Sequence, residues 1–156
     1  MAGVHIISHN SLIPDRNVPA YYMGSFSTMH SSYWNMTRVS VREGEERLLA
    51  RERGIIASIV HPSLMLLMGQ CLATETDNLK LVFEPVMLGS LYFYLHSQEK
   101  QELISDLHGV DLMLQVTEGL VFLAEKGLVH RAVTSNAVQL TKRGISILQF
   151  VILPTI

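Results

Sequence analysis

Apolar side chains at Leu48, Leu49, Ile55, Ile56 and Ile59 alternate with Glu45, Glu46, Arg47, Arg51, Glu52 and Arg53, a spacing that predicts an amphipathic helix within residues 44–60. Pro62 stops it, because proline lacks an N–H and disfavours helical geometry at His61. A second helical period runs over 111–126, with Leu112, Met113, Val116, Leu120 and Leu123 on one side and Gly127 as C-cap. Those apolar positions outnumber what one covering loop can bury, so part of this helix is expected to present an apolar surface. Leu79 to Glu84 is a short, nearly continuous apolar run with Lys80 inside it, which predicts a buried strand. Residues 22–42 read as an amphipathic β-hairpin and residues 144–151 as a further strand. Residues 1–20, with His5, His9, Pro14, Asp15 and Pro19, read as a leader or linker. Strands, a helix, strands again and then helices make an α+β order.

Composition narrows the function classes. Twelve Lys plus Arg against fourteen Asp plus Glu give a net charge of −2, so no basic excess points to nucleic acid or to an anionic membrane. The apolar run over 54–73 is broken by Ser58, His61, Pro62, Ser63 and Gln70, and residues 145–156 are too few to span a bilayer. Cys71 is the single cysteine, which excludes an internal disulfide and suits a reducing compartment. The histidines do not cluster with it at ligand spacing, so no metal site and no cofactor are expected.

The chemistry-bearing stretch is Val129-His130-Arg131-Ala132-Val133-Thr134-Ser135-Asn136-Ala137. It resembles the protein-kinase catalytic loop H-R-D-L-x-x-x-N, whose Asp accepts the substrate proton and whose Asn holds magnesium. Those positions are Ala132 and Ala137, and a methyl can do neither. Further segments match the tyrosine-kinase-like and tyrosine kinase pattern in order. Tyr22 to Met29 looks like the glycine-rich loop, keeping only Gly24, with Tyr22 and Ser27 at the other glycine positions. Val39-Ser40-Val41-Arg42 looks like the V-A-I-K strand, with Arg42 at the phosphate-pairing lysine. Glu52 falls at the helix glutamate that pairs with that lysine, and a meeting of Arg42 with Glu52 would be a structural ion pair needing no nucleotide. His61-Pro62-Ser63 to Cys71 matches the H-P-N segment after the helix. Glu84-Pro85-Val86 looks like the hinge that hydrogen-bonds adenine, with Phe83 as gatekeeper, and Gly89-Ser90-Leu91 opens the next helix. Gln149-Phe150-Val151 stands where D-F-G would, so the second magnesium ligand is a neutral amide.

The resemblance implies a kinase-like fold: a five-stranded small lobe with one helix and hinge over 21–86, then the start of a helical large lobe over 87–156, truncated after the D-F-G position. It implies that Ile56, Leu67, His130 and Phe150 form a packed column, and that Met29, Ser40 and Gln139 lie on the adenine side. It places Tyr22, Gly24, Ser27, Arg42, Glu84 and Val86 in a degenerate nucleotide site. The departures fall on groups that touch ATP, metal or proton. They imply a pseudokinase acting as a scaffold or allosteric partner of other proteins, with ATP binding not expected. The alternative is an unorthodox ATP-binding or weakly active serine/threonine or tyrosine kinase, which Arg42 and Glu52 keep open. The pattern of degeneracy also resembles that of the testis-expressed pseudokinases of intercellular bridges, which implies a cytoplasmic place at the midbody or bridge and a role in cell division.

Overall fold

The computed structural model describes residues 4–20, 22–23, 27–97, 106–141 and 144–147. They fall into two compact units, Met1–Val60 with Leu66–Val86, and His61–Met65 with Met87–Ile156.

The first unit holds β1 (His5–Ile6), a 3-10 turn (His9–Ser11), β2 (Leu12–Pro14), β3 (Tyr22–Met23), β4 (Ser27–Trp34), β5 (Thr37–Gly44), α1 (Glu46–Ile56), β6 (Leu67–Cys71) and β7 (Lys80–Phe83). Its sheet runs β1-β6-β7-β5-β4-β2, with β3 also on β4. β2 and β3 pair with β4 in successive registers, Pro14 opposite Ser32 and Tyr22 opposite Met29, so together they make one interrupted edge. The five expected strands are therefore present, and β1 is added in parallel along β6 at the other edge.

Residues 5–14, expected to belong to a leader or linker, instead carry two strands of this sheet. The cause is two apolar side chains. Ile7 and Leu12 bury in one cluster with Val39, Val41, Cys71 and Val82, with Trp34 and Met68 packed against it. Six strands laid flat would hold β1 and β2 about 24 Å apart. The chain from Ile6 to Leu12 reaches at most about 20 Å when fully extended, and here it includes a 3-10 turn. The sheet must curl, and these residues span its two edges.

β4 and β5 are joined by Asn35 and Met36, both at positive φ (48° and 61°), the left-handed pair that a two-residue hairpin turn needs. α1 turns Leu49, Glu52 and Ile56 inward and ends six residues before Pro62, within the region predicted from its period.

The second unit holds β8 (Val86–Ser90, of which all but Val86 lies in this unit), α2 (Leu91–His96), α3 (Asp106–Glu125), β9 (Val138–Thr141) and β10 (Gly144–Ile147), with sheet order β10-β9-β8. The Ser90 hydroxyl accepts the Phe93 N–H at 3.2 Å and caps α2. α3 buries Leu112, Val116 and Leu123, so of the five positions expected to exceed what could be buried only Met113 is exposed; the other exposed apolar side chains of the helix, Val110, Leu114 and Val121, lie outside that set. Gly127, at φ 71°, ends it in the left-handed conformation for which glycine carries no Cβ penalty.

Candidate functional site

Strand alternation sorts β5 into two faces. Val39 and Val41 enter the apolar cluster, and Ser40 and Arg42, equally buried, take the other side. Arg42 and Glu52, which the sequence pairs only through the resemblance, form a buried ion pair between Nη1 and Oε1. Arg42 Nε also donates to the Ser27 hydroxyl at 3.0 Å. One guanidinium is thus held by the start of β4 and by α1. Both bonds are charge-assisted, with Arg42, Glu52 and Ser27 all buried.

The hinge is tied inward in the same way. The Glu84 N–H donates to the Leu66 carbonyl at 3.0 Å, and the Leu66 N–H donates to Glu84 Oε1, also at 3.0 Å. The Glu84 carboxylate therefore serves the backbone ahead of β6. The Val86 N–H, the hinge donor by the resemblance, goes to the Ser40 hydroxyl at 3.0 Å in a buried contact. Phe83 is buried behind it, and Met29 is fully enclosed. Ser40 and Ser27, which the resemblance sets at the degenerate site, use their hydroxyls to accept from the Val86 N–H and from Arg42 Nε, bonds that the sequence does not reveal. The available signal was a serine standing where the kinase pattern has alanine, and another where it has glycine.

In the second unit α3 delivers the chain through Gly127 to His130. This imidazole is buried and accepts the Ala132 N–H at Nδ1, 3.2 Å, which puts its proton on Nε2. Arg131 sits at φ 63°, a conformation that costs an ordinary side chain about 1 kcal/mol or more. Ala132 is half-buried and Ala137 fully buried, its N–H on the Thr134 carbonyl at 2.9 Å. The Ala137 methyl is core packing at the position where the pattern would set a metal-binding amide. Gln139 is completely enclosed, its Nε2 donating to the Asn136 carbonyl at 2.8 Å.

The remaining site residues divide by what is described. Tyr22 pairs through its backbone in β3. Ile56 is buried and Leu67 half-buried in the first unit, and His130 is buried in the second. Gly24, Gln149 and Phe150 lie outside the described residues. Among the described residues no group of three His, Cys, Asp or Glu could hold a metal, and no helix is long and apolar enough to cross a membrane. Away from the site, burial pushes His30 below the usual histidine range and Cys71 above the usual thiol range.

The family profile for protein tyrosine and serine/threonine kinases matches residues 32–153. A mouse protein named inactive serine/threonine-protein kinase TEX14 is 29% identical over 138 residues, covering 80% of this chain and 10% of its own length. The cattle protein of the same name is 26% identical over 159 residues, covering 92% of this chain and 11% of its own. The Arabidopsis thaliana serine/threonine-protein kinase CTR1 is 28% identical over 130 residues, covering 77% and 16%. The chain thus spans between about a tenth and a sixth of the length of these relatives. With a profile match over most of its length, on a small-lobe sheet of kinase strand order, the chain belongs to the protein tyrosine and serine/threonine kinase family.

Proposed function

We propose that this chain is a catalytically inactive kinase-like domain, a pseudokinase that binds neither ATP nor magnesium and acts as a scaffold or allosteric partner of other proteins. The observation that carries this reading is the internal use of the nucleotide-recognition groups. The hinge N–H of Val86 goes to Ser40, and the Arg42 fork goes to Ser27 and Glu52. A ligand must compete with bonds already made in a buried setting, so its net gain is small. Ala132 and Ala137 add a second, independent deficit, since neither offers an oxygen to a proton or a cation. The similarity to proteins named as inactive kinases agrees with this. By the same resemblance the domain works in the cytoplasm at intercellular bridges or the midbody, in cell division.

The test is a thermal-shift titration with ATP, with and without Mg²⁺, beside a radiolabelled phosphate-transfer assay. No shift and no transfer are expected, and Ala132→Asp alone is expected to restore no transfer because the metal ligands stay absent. Transfer by the unmodified chain that disappears on mutation of Arg42 would establish the active-kinase alternative instead.

A further inference from the structure

We infer that the N-terminal segment is a strap that holds α1 in place through one residue, Gln70. Five contacts seat the segment. The Ile7 N–H donates to the Gln70 carbonyl at 2.8 Å, next to the parallel pairing of His5 with Gly69 and Ile6 with Gln70. The His9 imidazole donates from Nε2 to the Leu72 carbonyl at 2.7 Å, the carbonyl being able only to accept. The His5 ring leans on Trp34, centroids 5.5 Å apart. Beyond β2 the Asp15 N–H reaches the Ser31 carbonyl at 2.9 Å, and its carboxylate pairs with Arg38 at 3.3 Å.

β6 is shaped to receive this segment. A Cβ on Gly69 would lie 2.5 Å from Ile7 Cδ1 and 2.9 Å from the His5 carbonyl oxygen, closer than real atoms approach. Any larger residue at Gly69 would displace the strap. Gly69 therefore answers to the close passage of another chain segment rather than to a turn.

Gln70 faces two ways. Its main-chain carbonyl belongs to the strap, and its side-chain Oε1 accepts from Arg53 Nη1 at 2.9 Å. Arg53 follows Glu52 on α1, so the residue that ties α1 to β6 adjoins the residue that ties α1 to Arg42. Loosening residues 4–14 moves the anchor of α1, and the surface that α1 presents to a partner becomes conditional on the strap. The inference is independent of whether the nucleotide site is empty.

Cys71 supplies a direct readout, because it is fully enclosed in the cluster that Ile7 and Leu12 complete. The experiment compares the full chain with Ile7→Ala, Gln70→Leu and the double variant, reading thiol labelling of Cys71 and hydrogen exchange over residues 46–56. Ile7→Ala is expected to speed both, by about tenfold or more for the thiol, since large-to-small core changes weaken local closure. Gln70→Leu keeps the carbonyl and is expected to speed exchange in α1 severalfold while leaving Cys71 labelling unchanged. In the Ile7→Ala background Gln70→Leu is expected to add little to α1. Fast Cys71 labelling in Ile7→Ala with unchanged exchange in α1 would overturn the proposal. Should Ile7→Ala fail to fold, Gln70→Leu decides alone: unchanged exchange over 46–56 rules the coupling out.

Discussion

The nucleotide-facing part of the first unit and the catalytic loop of the second have departed from the kinase pattern in opposite directions. In the first unit polar atoms have been added: Ser27 for a glycine, Ser40 for an alanine and the Arg42 fork for a lysine, each engaged in a buried hydrogen bond. In the catalytic loop polar atoms have been removed, leaving the methyls of Ala132 and Ala137. Added groups that bond to one another stabilise the fold. Deleted groups remove chemistry and need no compensation, because a buried methyl such as that of Ala137 leaves nothing unsatisfied. Stability in the first unit should therefore depend on its altered residues, and stability in the loop should not.

The largest expected effect is at the buried ion pair. Arg42→Ala removes the guanidinium from beside the buried Glu52 carboxylate, a loss of roughly 3–5 kcal/mol by denaturant melting. Arg38→Ala is the matched control in the same sheet. Its pair with Asp15 is far more exposed on the arginine side, 36% against 7% for Arg42, and should cost about 1 kcal/mol or less. A double-mutant cycle on Arg42→Ala and Glu52→Ala isolates the coupling. Additive losses would mean that the pair contributes nothing to the first unit and that the contrast with the loop is false.

Next in size is Ser40→Ala, which restores the residue of the kinase pattern and strands the Val86 N–H in a buried position. The expected cost is about 1–3 kcal/mol. Ser32→Ala provides the opposite control within one strand pair. The Ser32 hydroxyl is as buried as that of Ser40 but has no hydrogen-bond partner among the described residues, so its removal should be neutral or stabilising. Equal destabilisation by both variants would show that lost packing, and not the bond to the hinge, explains Ser40.

What the sequence disclosed follows from how far each signal reaches along the chain. α1 and α3 were legible because a helical period repeats over several turns, and Arg42 with Glu52 because motif order fixes both positions. The strands at His5–Ile6 and Leu12–Pro14 were not, since two or three residues carry no measurable period and only Ile7 and Leu12, set among histidines and prolines, mark the segment as core. The Ser40 to Val86 bond was hidden for another reason: its donor is a main-chain N–H, which has no sequence signature, and its acceptor is 46 residues away. Degeneracy written as a missing side chain is readable in one dimension. Degeneracy written as a new bond needs the fold.

The smallest expected effect lies on the opposite face of β5 from Arg42, where charges are only partly buried. His30 Nε2 stands 3.9 Å from Glu43 Oε1, which also takes Lys80 Nζ at 2.9 Å. Burial lowers the His30 pKa from 6.5, Glu43 opposes that shift and Lys80 adds to it. A folded value below the unfolded one means that the unfolded chain binds the proton more readily. The contribution of His30 is thus complete above about pH 6.5 and is lost as the pH falls from there through the lowered folded value. His30→Gln should make the stability curve flatter between about pH 7 and 5 than that of the unmodified chain, the other histidines being common to both. The difference should vanish above that window. Parallel curves across it would mean that His30 titrates alike in both states, leaving the buried Arg42 face as the place where this sheet has converted charge into stability.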